Sequence, residues 1–146
     1  MIEKTAMYES ILVPIDGSKG AKRGVDHAID LSEKYDSKLH TLFVVDEGIY
    51  GETPAMSSEE LFLEQIQTNG EDLLEQVVSK AGKKGLETTA ECLRGVPYEE
   101  IVKYASGNDI DLVVMGKHGI SKHGSPHVGS TTERVMRSSE IPVFTV

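Results

Sequence analysis

The chain has 146 residues, 38% of them apolar, and 14 glycines, which fits one globular domain able to bury a core without disulfides or a metal staple. Its 15 Lys and Arg against 24 Asp and Glu give a formal charge of -9, and that balance, with 5% aromatics and no Trp, argues against a nucleic-acid binder. Cys92 is the single cysteine, so no intrachain disulfide or Cys-based zinc site can form; no membrane-length apolar run occurs and Met1–Ser10 lacks a signal-peptide core, so the expectation is a cytoplasmic protein with no membrane partner.

Ile11–Ile15 is a short apolar run, as in a strand buried on both faces. It ends at Asp16-Gly17-Ser18, a turn cluster in which Ser18 is the candidate helix cap. Ala21, Val25, Ala28, Ile29 and Ser32 then share one face of an amphipathic helix ending near Tyr35, with Lys22, Arg23, Asp26 and Asp30 on the other. Leu39 and Leu42–Val45 predict a second strand ending at Asp46, and 46–57 reads as a loop. A long helix is predicted from Ser57 or Ser58, with Leu63, Ile66, Leu73, Leu74, Val77, Val78 and Ala81 as its core face. Gly70 inside it costs roughly 1 kcal/mol against Ala, which predicts a kink or a close contact there. Gly82 to Gly85 stops the helix.

Leu86–Leu93 reads as an edge strand, with Cys92 as core filling. Pro97 suits the first position of a third helix, whose stripe is Ile101, Val102 and Ala105. Asp111–Met115 is another buried strand, Ser130 to about Ser138 a fourth helix, and Pro142–Val146 the last strand. Five strands alternating with four helices imply an α/β fold, a doubly wound five-stranded parallel sheet with helices on both faces. Such sheets bind ligands beyond the C-terminal strand ends, where strand order reverses. Residues 8–146 read as one domain, behind an N-terminal extension over 1–7.

Residues 116–129 carry the densest chemical signal. This loop joins a buried strand to a helix start and contains four Gly, two Lys, three His and no acid, a local reversal of sign. Loops of this length inside compact domains are often functional. Glycines let a backbone approach a ligand closely, and a helix start offers free N–H groups and a positive dipole end. Together they describe an anion site, most naturally for phosphate. Ser130-Thr131-Thr132-Glu133 matches a capping box, which would give Ser130 a second duty. No GxxxxGK[ST] or GxGxxG occurs, so a P-loop NTPase and a standard dinucleotide site are both excluded.

The pattern present is Gly116-x2-Gly119-x9-Gly129-Ser130. With Ile11-Leu-Val-Pro-Ile-Asp-Gly-Ser18 at the start and Pro142-Val-x-x-Val146 at the end, the chain resembles the nucleotide-binding branch of the universal stress protein family over about residues 8–146. The resemblance implies a Rossmann-like fold of the adenine nucleotide alpha hydrolase type. It implies that Asp16 lies beside ribose and phosphates, with Pro14 and Ile15 just before it. It implies that the Val44 backbone contacts adenine, that Gly116, Gly119, Gly129 and Ser130 bind phosphates and ribose, that Thr131 joins the same cradle, and that Met115 lines its floor. The implied ligand is ATP, with Mg²⁺ or Mn²⁺ that Asp16 could reach, and the implied assembly is a homodimer through Val143–Val146. The loop's Gly124-Ser-Pro-His127 departs from the family.

His118, His123 and His127 suggest solvent or phosphate contact before a metal site, because no Cys supports one. Their protonation below about pH 6.5 would tighten ATP binding. No catalytic base or acyl-transfer elbow is identifiable. The reading is an ATP-binding, nucleotide-dependent stress-response module with an unidentified regulatory partner. The alternatives are a weak Mg-dependent ATPase or nucleotide phosphotransferase, and a nucleotide-free dimeric interaction protein.

Overall fold

The computed structural model describes residues 7–49, 56–118 and 128–146. Strands β1 (Ser10–Ile15), β2 (Lys38–Asp46), β3 (Thr88–Gly95), β4 (Leu112–Met115) and β5 (Val143–Thr145) alternate with helices α1 (Lys19–Tyr35), α2 (Met56–Gly82), α3 (Pro97–Gly107) and α4 (Ser130–Ser138). A 3₁₀ turn at Glu47–Ile49 opens the loop after β2, where the Asp46 carboxylate accepts from the Gly48 N–H at 2.9 Å.

All strand pairs are parallel, in the order β3-β2-β1-β4-β5. From β1 the chain winds one way through β2 and β3, then crosses to β4 and β5 on the other side. The reversal lies between β1 and β4, so the C-terminal ends of those strands frame the natural crevice. β1 and β4 are buried almost throughout, which is why they read as unbroken apolar runs.

Alternating strand residues feed two cores. On one face Ile11, Val13, Phe43, Val45 and Val114 pack with Val25, Ala28 and Ile29 of α1 and Leu63, Leu74 and Val77 of α2. On the other, Leu12, Leu42, Val113 and Met115 pack with Ile101, Tyr104 and Ala105 of α3 and Val135 of α4. The predicted apolar face of α1 is buried at each of its five positions, and Ser18 is its cap, accepting from the Ala21 N–H at 3.1 Å. Pro97 occupies the first turn of α3. Cys92 packs against the first core, where burial raises its thiol pKa.

Three expectations need correction. Val78 is 38% exposed; it lies about 100° round the helix from Val77, and the sheet accommodates only one of the two. β3 begins at Thr88 rather than Leu86. Gly85 takes φ 74° to end the α2 turn, and the Leu86 N–H donates back to Ala81 O at 3.2 Å, so that group is not free to start a ladder. The long helix also begins at Met56 rather than at Ser57 or Ser58. Gly70 makes a close contact: a Cβ there would collide with the Phe43 ring.

Candidate functional site

A cleft of about 650 Å³ opens at the C-terminal ends of β1, β2 and β4, within the roughly 300–1,000 Å³ usual for small-molecule sites. Its floor includes Pro14 and Ile15 of β1, Leu42, Phe43 and Val44 of β2, and Met115 of β4. Asp16 stands at the end of β1, Gly116 at the end of β4, and Gly129, Ser130 and Thr131 at the start of α4. Nine of the ten residues singled out in the sequence therefore line one cleft, although they come from four separated stretches of chain. Gly119, the tenth, lies outside the described residues, as do His123 and His127.

Asp16 Oδ1 accepts from the Ser18 N–H at 2.9 Å. That bond orients the carboxylate without burying it. Ser18 in turn caps α1, and no acid occupies the first turn of that helix. The positive end of the α1 dipole thus joins the cleft wall at Ser18 and Ala21.

The start of α4 differs from the capping-box expectation. Gly129 is the N-cap, with φ -61° and ψ 148° and no side-chain cap bond. Ser130 is already inside the helix. The Glu133 N–H donates to Gly129 O at 2.9 Å and its carboxylate accepts from the Arg137 guanidinium at 2.6 Å, so neither half of a capping box forms. The reason is geometric. The Gly129 N–H is drawn to Lys117 O at 2.8 Å, which goes with the extended dihedrals at Gly129 and a helix that starts one residue earlier than a Ser130 cap would give. Among the described residues the Ser130 and Thr131 hydroxyls have no hydrogen-bond partner, so the second duty expected of Ser130 does not arise.

The 117–129 loop is held at its neck. The Lys117 N–H donates to Val146 O at 2.6 Å, the Val146 N–H donates to Met115 O at 3.0 Å, and the Thr132 hydroxyl donates to Gly116 O at 2.9 Å. Gly116 has a packing reason of its own. A Cβ there would stand well inside 3.0 Å of the Gly20 backbone, because α1 crosses the end of β4 at a glycine pair. His118 lines the cleft, and its Nε2 is buried without a partner among the described residues.

Sequence reasoning missed the walls. Ile66, Asn69 and Leu73 of α2 form one side, and Pro97 and Ile101 of α3 lie on the other. Ile66 and Leu73 were expected in the core and do pack against it, but helical spacing does not say that the same side chains also reach the cleft. The available signal was Asn69, an amide on that same apolar stripe. Asp46 also lines the cleft. Among the described residues no three His, Cys, Asp or Glu side chains converge as a metal centre, and no helix is long and apolar enough to cross a membrane.

A family model described as "Universal stress protein family" matches residues 7–146. Among curated relatives, universal stress protein MJ0531 of Methanocaldococcus jannaschii is 34% identical over 140 residues, covering 96% of this chain and 82% of the relative. Among solved structures, protein MJ0577, from the same organism, superposes with a TM-score of 0.88 at 27% identity, covering 96% of each chain. A universal stress protein from Archaeoglobus fulgidus, solved in complex with dAMP, superposes with a TM-score of 0.64 at 20% identity and covers 95% of this chain and 98% of its own. At that identity the likeness is one of fold.

Proposed function

This chain belongs to the universal stress protein family, and we propose that it binds ATP in the cleft at the β1/β4 switch point and works as a nucleotide-dependent stress-response module. The observation that carries the reading is the bare N-terminus of α4. Gly129 caps without a side chain, and Ser130 and Thr131 have no partner for their hydroxyls among the described residues. Both line the same cleft as Asp16. A helix start with free N–H groups and unused hydroxyls suits a phosphate. The buried, unpartnered Nε2 of His118 fits the same group, since leaving such an atom unpaired costs about 1–3 kcal/mol.

In this reading Gly116, Gly119, Gly129, Ser130 and Thr131 hold the phosphates, and the backbone of Val44 meets adenine. Pro14, Ile15 and Met115 form the floor. Asp16 and Asp46 are the cleft carboxylates available to Mg²⁺ or Mn²⁺ arriving with the nucleotide, where the ion would neutralise phosphate charge. ATP bridges α4, the 116–131 loop and β1, and shifts the population toward an ordered surface that a regulatory partner or a dimer mate reads. β5 is an edge strand with Phe144 41% exposed; pairing of Val143–Val146 with a second copy would cover that edge and form a homodimer. The cytoplasm is the compartment that suits such a module.

Isothermal titration with Mg-ATP tests the binding. The expected result is one site per chain, lost in Gly129→Val and weakened at least about tenfold in Ser130→Ala, a hydrogen bond to a charged group being worth about 1.5–3 kcal/mol. Heat of binding unchanged in both variants would contradict the site.

A further inference from the structure

We propose that Gly20 of α1 is a positioning residue for the cleft: its missing side chain seats the His118 carbonyl against the first turn of α1, and that seat aims the His118 imidazole at the phosphate groups of a bound nucleoside triphosphate. This rests on the nucleotide reading above. A Cβ on Gly20 would stand 2.5 Å from His118 O, whereas the Gly116 Cα would be in ordinary contact with it at 3.5 Å. A methyl group there therefore strikes the carbonyl and spares the end of β4. The carbonyl must retreat by roughly 1 Å to regain ordinary contact. Its present place is a favourable one. No acid occupies the first turn of α1, and a carbonyl oxygen suits the positive end of a helix.

The three glycines at this crossing have different duties. A Cβ on Gly116 collides with the backbone of Gly20, so Gly116 serves packing. Gly24, one turn after Gly20 on the same stripe of α1, has room, since its Cβ would meet nothing closer than 3.6 Å. Of the three, Gly20 alone faces the chain beyond the strand. α1 cannot yield to an added methyl, because Ser18 caps it and Ala21, Val25, Ala28 and Ile29 are buried in the core. Lys117 cannot absorb the shift either, for its N–H donates to Val146 O and its carbonyl accepts from the Gly129 N–H. The displacement passes to His118. Its imidazole lines the cleft with Gly129, Ser130 and Thr131, and its Nε2 is buried with no partner among the described residues. A polar atom so placed calls for a ligand atom, and a binding geometry tolerates only about 0.5 Å of displacement.

The test is a double-mutant cycle on the dissociation constant for ATP, with Gly20→Ala, His118→Ala and the double variant, and with Gly24→Ala as the control. Urea midpoints without nucleotide are read alongside. Ala is the better helix former and Gly20 does not have a positive φ, so Gly20→Ala should fold with a midpoint close to that of the wild type. His118→Ala should weaken ATP binding about tenfold, within the range of a hydrogen bond to a charged group, and Gly20→Ala at least about fivefold. The double variant should bind no more weakly than His118→Ala, because a residue that acts through another adds nothing once that other is gone. Gly24→Ala should bind as the wild type does. Losses that add in the double variant, or ATP affinity unchanged in either single variant, overturn the inference and leave nucleotide binding standing. So does a Gly20→Ala chain that fails to fold or loses as much stability as Gly116→Ala, since Gly20 would then serve packing. Absence of ATP binding in the wild type overturns the nucleotide reading itself.

Discussion

Replacing Gly116 by alanine drives a methyl group into the backbone of Gly20. Neither segment can give way, since one closes β4 and the other is the first turn of α1. The expected cost is about 1–3 kcal/mol, typical of overpacking, read as a lower urea midpoint in the absence of any nucleotide. Gly82→Ala is the contrast, because nothing stands within 4 Å of a Cβ there and its φ is not positive; it should be neutral or stabilising by up to about 1 kcal/mol. Equal effects would show that packing at Gly116 is not the constraint. A second residue-scale case is His40, buried on β2, whose Nδ1 shares a hydrogen bond with the Tyr104 hydroxyl at 2.8 Å. Burial lowers its pKa, Lys38 lowers it further, and Glu87 opposes them. The unfolded chain therefore takes up this proton first as pH falls through the usual value of about 6.5, and stability must fall with it. The urea midpoint should drop more between pH 7 and pH 5.5 for the wild type than for His40→Gln. Parallel pH profiles would remove His40 as the cause.

At the scale of elements, two serines at two helix starts play opposite parts. Ser18 caps α1 through Ala21 N–H, so Ser18→Ala should cost about 1 kcal/mol of stability. Ser130 is inside α4 and caps nothing, so Ser130→Ala should change stability by less than about 0.5 kcal/mol while weakening nucleotide binding. A large drop in melting temperature for Ser130→Ala would restore the capping box. This pair also shows what the amino-acid order could convey. The periodicity of α1, the buried runs of β1 and β4 and Pro97 at the start of α3 were legible because each follows from local spacing, and the grouping of the candidate residues at strand ends was legible through the family resemblance. The bounds of α4, Ser130–Ser138, were legible too, but its cap was not, since Gly129 takes that place with its N–H on Lys117 O. The α2 wall was not, because Ile66 and Leu73 pack against the same core as Leu63 and Leu74 and line the cleft as well. The start of β3 was hidden by the Leu86 N–H, already spent on the α2 terminus.

For the whole molecule, the charge of -9 does not describe the cleft alone, where the N-termini of α1 and α4 and His118 stand beside the carboxylates of Asp16 and Asp46. Long nucleic acids remain disfavoured, while a single polyphosphate has a place to bind. If ATP binds the folded chain alone, it must raise stability by about 2.7 kcal/mol at a hundredfold excess over its dissociation constant, with no such gain in Gly129→Val. The open β5 edge makes a separate prediction. Phe144, which packs on His27 at 5.8 Å between ring centroids, lies on the proposed dimer strand, so Phe144→Glu should shift sedimentation from dimer to monomer. A wild type that sediments as a monomer at high concentration would exclude pairing through Val143–Val146. The central claim, that the cleft holds ATP, is tested most directly by denaturing freshly purified protein and identifying the released small molecules by mass spectrometry. The account predicts ATP, recovered largely unhydrolysed and absent from Gly129→Val. Release of no nucleotide, together with no uptake of added Mg-ATP, would contradict it.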